Sequence, residues 1–112
     1  DFEGAIPFFR STSLRIMYMF NNRFSSLPED IPVGTVYAEF QNNRIQGTIP
    51  SLWGESTQLG RIVLSKNSLS GTIPAELLQI STLLDFYVDG NSLSGPVDDR
   101  LCDLARFSIS DN

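Results

Sequence analysis

Apolar and polar residues alternate over several short stretches of this chain. In one of them Phe107 and Ile109 alternate with Arg106, Ser108 and Ser110. Alternation with a period of two is typical of a β-strand with one buried face. A strand this short cannot bury its apolar face alone. Similar stretches elsewhere in the chain are therefore predicted to stack beside it in one parallel sheet.

Five asparagines follow the alternating stretches at nearly even intervals. Their spacings are 21, 24, 24 and 21 residues, and self-similarity at a period of about 20–29 residues indicates a solenoid of stacked coils. An asparagine amide carries both a donor and an acceptor. It can therefore bond backbone groups that the turn out of each strand leaves unpaired. This predicted asparagine ladder consists of Asn22, Asn43, Asn67, Asn91 and Asn112.

A second shared segment begins at each of the first four asparagines. Residues 43–50 read NRIQGTIP, residues 67–74 read NSLSGTIP and residues 91–97 read NSLSGPV. The glycine permits a tight bend or a positive φ. Residues 22–28 read NRFSSLP and lack this glycine, so local irregularity is predicted there.

The segments that lead from these motifs to the next strand are predicted to lie on the outer surface. Residues 74–82 can form one α-helical or 3₁₀ turn after the proline. Residues 28–34 contain two prolines and are predicted to be non-helical. The short segment after Val97 is predicted to be irregular. Cys102 lies among apolar neighbours and is predicted to be buried as a small hydrophobic residue.

The complete pattern resembles the leucine-rich repeat family. The motif L-x-x-L-x-L-x-x-N-x-L fits five registers, and one of them reads Leu59, Ile62, Leu64, Asn67 and Leu69. The x-G-x-I-P segment that follows resembles the plant-type subclass. Trp53, Leu77 and Leu101 stand where that subclass usually carries leucine.

The resemblance implies the fold. We expect an α/β solenoid, a right-handed leucine-rich-repeat superhelix. Its parallel β-sheet forms the concave face, and short 3₁₀, helical or irregular segments form the convex face. Residues 1–112 are expected to be a single array of about four full repeats, with partial first and last repeats and no caps, taken from a longer solenoid. The first copy begins at Leu14, and the weaker second copy begins at Thr35.

The composition argues against several classes of chemistry. The chain has no histidine and one cysteine, which excludes histidine-based catalysis and a Cys/His metal cage. No glycine-rich phosphate loop occurs, and the adjacent carboxylates at 29–30 and 98–99 are expected in solvated turns. We therefore expect no enzyme activity, no cofactor and no metal. The net charge of −5 argues against nucleic-acid binding. No apolar run reaches the ~18 residues of a membrane span, so no membrane contact is expected within this segment.

The residues that alternate with the core positions are predicted to form the binding surface. Exposed aromatic side chains on a rigid face are typical of binding anchors. For Arg61, Asp85 and Arg106 the alternative is a surface salt-bridge ladder. For Ile16 and Phe20 the alternative is packing against a preceding repeat. The predicted ligand-binding residues of the concave face are Tyr18, Phe20, Tyr37, Glu39, Arg61, Val63, Asp85, Tyr87 and Asp89.

A recognition function follows from the surface and from the resemblance. Plant-type leucine-rich repeats include receptor-like ectodomains, receptor kinases and secreted inhibitors. The resemblance thus implies a protein or peptide ligand, with a glycan as the alternative. It also implies an extracellular or membrane-anchored ectodomain, with an intracellular location as the alternative. Two other functions stay open: a scaffold subunit that holds a permanent partner, and the ectodomain of a receptor kinase whose catalytic domain lies outside this chain.

Overall fold

Short strands recur once or twice in each coil of the chain. The computed structural model describes residues 2–5 and 15–112, and Leu14, the predicted start of the first copy, lies outside them. Each strand has two to four residues, so its stability depends on the coils on either side. The described strands are β1 (Glu3–Ala5), β2 (Ile16–Tyr18), β3 (Arg23–Ser26), β4 (Tyr37–Glu39), β5 (Gln46–Gly47), β6 (Arg61–Val63), β7 (Ser68–Leu69), β8 (Asp85–Tyr87) and β9 (Arg106–Ser108).

Five of these strands form the predicted parallel sheet, in the order β2-β4-β6-β8-β9. One register runs through it: Met17 pairs with Ala38, Ala38 with Ile62, and Ile62 with Phe86. These four side chains are buried, whereas Phe107 at the same place in β9 is exposed. The sheet and its buried middle row confirm the leucine-rich-repeat solenoid.

A second set of parallel pairs follows the asparagine turns, and the sequence analysis did not predict it. Strand β1 pairs with β3 and strand β5 pairs with β7. Strands β5 and β7 lie in the segments that contain the shared glycine, and Gly47 and Gly71 have φ of 89° and 77°. Ser26 occupies the glycine position in the segment 22–28, and the β1–β3 register shifts between Gly4 and its neighbour Ala5. The predicted irregularity at this segment is therefore a shift in strand register.

Helical turns on the convex side complete three of the coils. They are a first 3₁₀ helix (Ser51–Glu55), the α-helix α1 (Ala75–Leu78) and a second 3₁₀ helix (Asp99–Asp103). Residues 28–34 form no helix, as predicted. Within residues 2–5 and 15–112, none of the helices has the length and apolar character to cross a membrane.

Each of these helical turns places one large apolar side chain in the core. Trp53, Leu77 and Leu101 are all buried. The Trp53 indole Nε1 donates to the Pro28 carbonyl at 3.0 Å, and its ring centroid lies 5.6 Å from that of Phe40. One tryptophan thus joins the convex side, the preceding coil and the sheet.

Two expectations for the last coil were wrong. The segment after Val97 forms the second 3₁₀ helix instead of an irregular loop, because the Asp98 carboxylate accepts a hydrogen bond from the Arg100 backbone N–H at 2.9 Å and caps the turn. Cys102 is exposed. The neighbouring Leu101 takes the buried position of this helix, so the thiol is left at the surface.

Close contact between two convex helices predicts a sensitive glycine. A Cβ at Gly54 would lie 2.7 Å from the Cβ of Glu76 and 3.0 Å from the Glu76 carbonyl oxygen. We expect Gly54→Ala to lower the free energy of unfolding by about 1–3 kcal/mol, because the backbones must move apart. Urea denaturation measures this change. Gly60→Ala is the control, since its nearest neighbour would be 3.7 Å away. Equal stabilities of the two variants would contradict the prediction.

Candidate ligand-binding face

Alternate residues of the five-stranded sheet face away from the core, and we call the surface they form the concave face. The strand register arranges them in columns, with one residue from each coil. A third column lies just beyond the strand ends, where backbone hydrogen bonds between coils continue. The columns are Ile16, Tyr37, Arg61, Asp85, Arg106; then Tyr18, Glu39, Val63, Tyr87, Ser108; then Phe20, Gln41, Ser65, Asp89, Ser110.

Exposed apolar side chains cover the first two coils of this face. We call Ile16, Tyr18, Phe20 and Tyr37 the aromatic patch; all four are exposed. The Tyr18 and Phe20 ring centroids lie 5.8 Å apart with the rings tilted. Tyr37 has a strand on each side and is still 38% exposed. Its exposure therefore does not arise from a position at the edge of the sheet.

Charged side chains cross the next coils as an alternating series, which we call the ion ladder: Glu39, Arg61, Asp85 and Arg106. The Arg61 Nε lies 3.5 Å from a Glu39 oxygen, and its second guanidinium nitrogen lies 3.1 Å from Asp85 Oδ2. The Arg106 Nε donates to Asp85 Oδ1 at 2.8 Å. Opposite charges thus meet across four neighbouring strands, and each pairs with the next.

Asp85 is the central residue of the ion ladder. Burial on its own raises the pKa of this carboxyl, but hydrogen bonds and charge from Arg106 and Arg61 outweigh burial, so the pKa lies below its ordinary value of 3.8. Arg61 also lies over the Tyr87 ring, with its guanidinium carbon 5.4 Å from the ring centroid. This cation–π contact connects the ladder to the second column.

The remaining predicted residues differ in accessibility. Val63 is only 6% exposed, and Asp85 is also buried, so neither contributes much accessible surface to the concave face. Asp89 accepts a hydrogen bond from the Ser65 hydroxyl at 2.6 Å. Among the predicted residues, the accessible ones are therefore Tyr18, Phe20, Tyr37, Arg61, Tyr87 and Asp89.

The backbone conformation at the turn beyond the third column was not predicted from the sequence. Asn21, Asn42, Lys66 and Asp111 have φ of 57–59°, and Gly90 in the same place has φ of 68°. Asparagine, aspartate and glycine are the residues that adopt this left-handed region most readily. Their recurrence one residue before the asparagine ladder was the available signal.

Each asparagine of the ladder joins two coils through backbone groups. Asn67 donates from Nδ2 to the Leu64 carbonyl at 3.1 Å in its own coil and to the Phe40 carbonyl at 3.0 Å in the preceding coil. Its Oδ1 accepts from the Ile45 N–H at 3.1 Å. The same arrangement recurs at Asn43, Asn91 and Asn112. Asn22 accepts from the Phe2 N–H and donates to the Met19 and Phe20 carbonyls.

The described residues contain no group of three or more His, Cys, Asp or Glu side chains that could hold a metal ion. The carboxylates of the concave face instead pair with arginines or with a serine hydroxyl.

Solved structures of plant receptor ectodomains resemble this chain. The ectodomain of the receptor kinase SOBIR1 from Arabidopsis thaliana matches with TM-score 0.81 and 27% identity, over 90% of this chain and 59% of that one. PEPR1, in a structure with AtPEP1, matches with TM-score 0.77 and 25% identity, over 95% and 16%. Pollen Receptor Kinase 3 matches with TM-score 0.65 and 31% identity, over 80% and 46%. The chain thus spans less than two thirds of each. No protein-family model and no curated protein matches it.

The stacked parallel strands, the recurring asparagine turn and these similarities define a leucine-rich-repeat solenoid. The chain is a plant-type leucine-rich-repeat protein.

The hydrogen bonds of Asn67 predict a loss of stability when they are removed. We expect Asn67→Ala to lower the free energy of unfolding by about 1–3 kcal/mol, because the Ile45 N–H and the Phe40 carbonyl lose their partner. Asn67→Asp keeps the acceptor but turns a carboxylate toward carbonyl oxygens, so it should also destabilise the fold at neutral pH. Ser68→Ala, at an exposed neighbour, is the control. If urea titrations gave Asn67→Ala and Ser68→Ala the same free energy of unfolding, the stabilising role of the asparagine ladder would be refuted.

The lowered pKa of Asp85 predicts a pH-dependent contribution to stability. Because its folded pKa lies below the unfolded value, the ionised carboxylate stabilises the fold above about pH 4 and loses this effect as pH falls through the folded pKa. We expect Asp85→Asn to cost up to about 1 kcal/mol at pH 7, and less in acid. Asp103→Asn, which removes one exposed carboxylate charge, is the matched control for the change of charge. Thermal unfolding is measured from pH 7 to pH 2. A stability difference between Asp85→Asn and the unmodified chain that stays constant over this range would contradict the prediction.

Proposed function

We propose that this chain is a non-catalytic recognition module that binds a protein or peptide ligand on its concave face. The observation that carries the proposal is the aromatic patch. Its four apolar side chains are exposed together on a rigid sheet, and apolar surface of this kind is typical of interaction sites.

The backbone of this face is held in place before any ligand arrives. Every strand of the sheet is fixed by its neighbours and by the asparagine ladder. Because the surface is already ordered, binding loses little conformational entropy within the protein. Side chains change from coil to coil while the backbone stays constant, so the coil sequence can set specificity.

Two of the similar structures support a peptide ligand. PEPR1 is seen with AtPEP1, and RGFR1 is described as a plant peptide hormone receptor in complex with RGF2. The SOBIR1 structure is an ectodomain, which supports an extracellular location for this chain as well. The absence of histidine and the pairing of the concave carboxylates are consistent with a role in binding alone.

The predicted site residues would contact a ligand in different ways. Tyr18, Phe20, Tyr37 and Tyr87 supply apolar contact, while Arg61 and Asp89 supply polar contact at the border. Glu39 and Asp85 hold Arg61 in place through ion pairs, and the buried Val63 belongs to the support of the same face.

Selection from a displayed library of random dodecapeptides tests the proposal. Selected peptides should bind the 112-residue chain, and Tyr18→Ala, Tyr37→Ala and Tyr87→Ala should each weaken binding by about tenfold or more, as expected for aromatic anchors. The variants should unfold within about 0.5 kcal/mol of the unmodified chain, because these side chains are not in the core.

Val33→Ala is the control, since Val33 is an exposed apolar residue in the non-helical segment 28–34. If no peptide is selected, or if Val33→Ala weakens binding and the tyrosine variants do not, the concave face is not the binding site.

A further inference from the structure

The charged groups around the aromatic patch already have partners within the protein. Glu39 lies beside Tyr18 in the strand register, and its carboxylate is approached by the Arg61 Nε at 3.5 Å and by the Gln41 amide nitrogen at 3.4 Å. Arg61 lies beside Tyr37, and its other nitrogen pairs with Asp85. Glu39 and Arg61, the two charged residues that border the patch, therefore pair with each other, and Arg61 also pairs with Asp85.

Pairing makes these groups poor selectors of ligand charge. A ligand carboxylate that recruits Arg61 must compete with Asp85 and Glu39, both of which are well shielded from solvent, with side chains 9% and 12% exposed. A ligand cation that recruits Glu39 must displace Arg61. Each exchange replaces an existing ion pair by a similar one, so the net gain is small.

Other charges lie outside the patch. Asp89 stands three coils from Phe20 in the third column, or about 14 Å at the usual spacing of strands. Arg15 precedes Ile16, and its guanidinium donates to the Gln58 amide oxygen at 3.4 Å. The patch itself contains only apolar surface and tyrosine hydroxyls.

The dimensions of the patch fit an extended chain. Ile16, Tyr18 and Phe20 alternate along β2 and its extension, so their side chains repeat about every 6.6 Å. An extended peptide repeats same-side residues at the same distance. Two apolar side chains separated by one residue can thus contact neighbouring positions of the patch, and the tyrosine hydroxyls can hydrogen-bond to the peptide backbone.

We infer that the aromatic patch selects an uncharged, extended peptide segment with apolar side chains at alternate positions, and that the ion ladder holds the face rigid without selecting ligand charge. This inference rests on the proposed function and specifies the ligand class of the same face.

A library of acetylated, amidated random octapeptides on beads tests the inference with both terminal charges removed. Peptides enriched on the 112-residue chain should carry apolar residues at i and i+2 and a net charge near zero. Their affinity, measured by fluorescence polarisation, should change by less than about threefold between about 0.05 and 0.5 M NaCl, since uncharged contacts are little screened.

Arg106→Gln tests the ion ladder independently of the aromatic patch, because Arg106 is the last residue of the ladder and its side chain is 67% exposed. Affinity for the enriched peptides should stay within about threefold in Arg106→Gln and fall at least about tenfold in Tyr37→Ala.

Enrichment of acidic or basic peptides, with affinity that falls tenfold in high salt or in Arg106→Gln, would overturn the inference. The proposed function would stand in that case if Tyr37→Ala still weakened binding. Failure to enrich any peptide, or binding that Tyr37→Ala leaves unchanged, would overturn the proposed function and the inference with it.

Discussion

The hydrogen bonding of one amide per coil holds this protein together. Because each strand has only two to four residues, much of each coil is backbone outside the strands. The polar groups of that backbone need hydrogen-bond partners wherever they are buried. Asn67 satisfies a carbonyl in its own coil, a carbonyl in the preceding coil and an N–H beyond the preceding asparagine. Because the amide reaches both coils, it fixes the position of one coil relative to the next.

That fixed position determines the register of the sheet. Once each coil is placed on its neighbour, the middle residue of every strand points inward, and the residues on either side of it point to the concave face. Trp53 reinforces the same stacking from the convex side through its bond to the Pro28 carbonyl. The columns of side chains on the concave face are thus a consequence of coil stacking, and their chemistry is free to vary from coil to coil.

Variation along those columns divides the face into two parts. The first two coils carry the aromatic patch, and the ion ladder extends from the second coil to the last. In the ladder, Asp85 meets two arginines that compensate for its burial. A ladder satisfied in this way stiffens the surface, while the patch leaves apolar area exposed. Paired charge and exposed apolar surface therefore belong to different residues of one sheet.

The sequence by itself determined the period of the coils, the parallel sheet and the membership of its columns, because the asparagine spacing and the alternation of Phe107 and Ile109 with polar residues are local patterns. Only the tertiary structure decided which column members are accessible. Val63 reads as a surface residue and is buried, since accessibility depends on the side chains of the two adjacent coils. Cys102 reads as buried and is exposed, because Leu101 takes the one inward position of its helix. The pairing of β5 with β7 also required the stacked coils. Its residues are 22 positions apart in the sequence and meet only when one coil lies on the next.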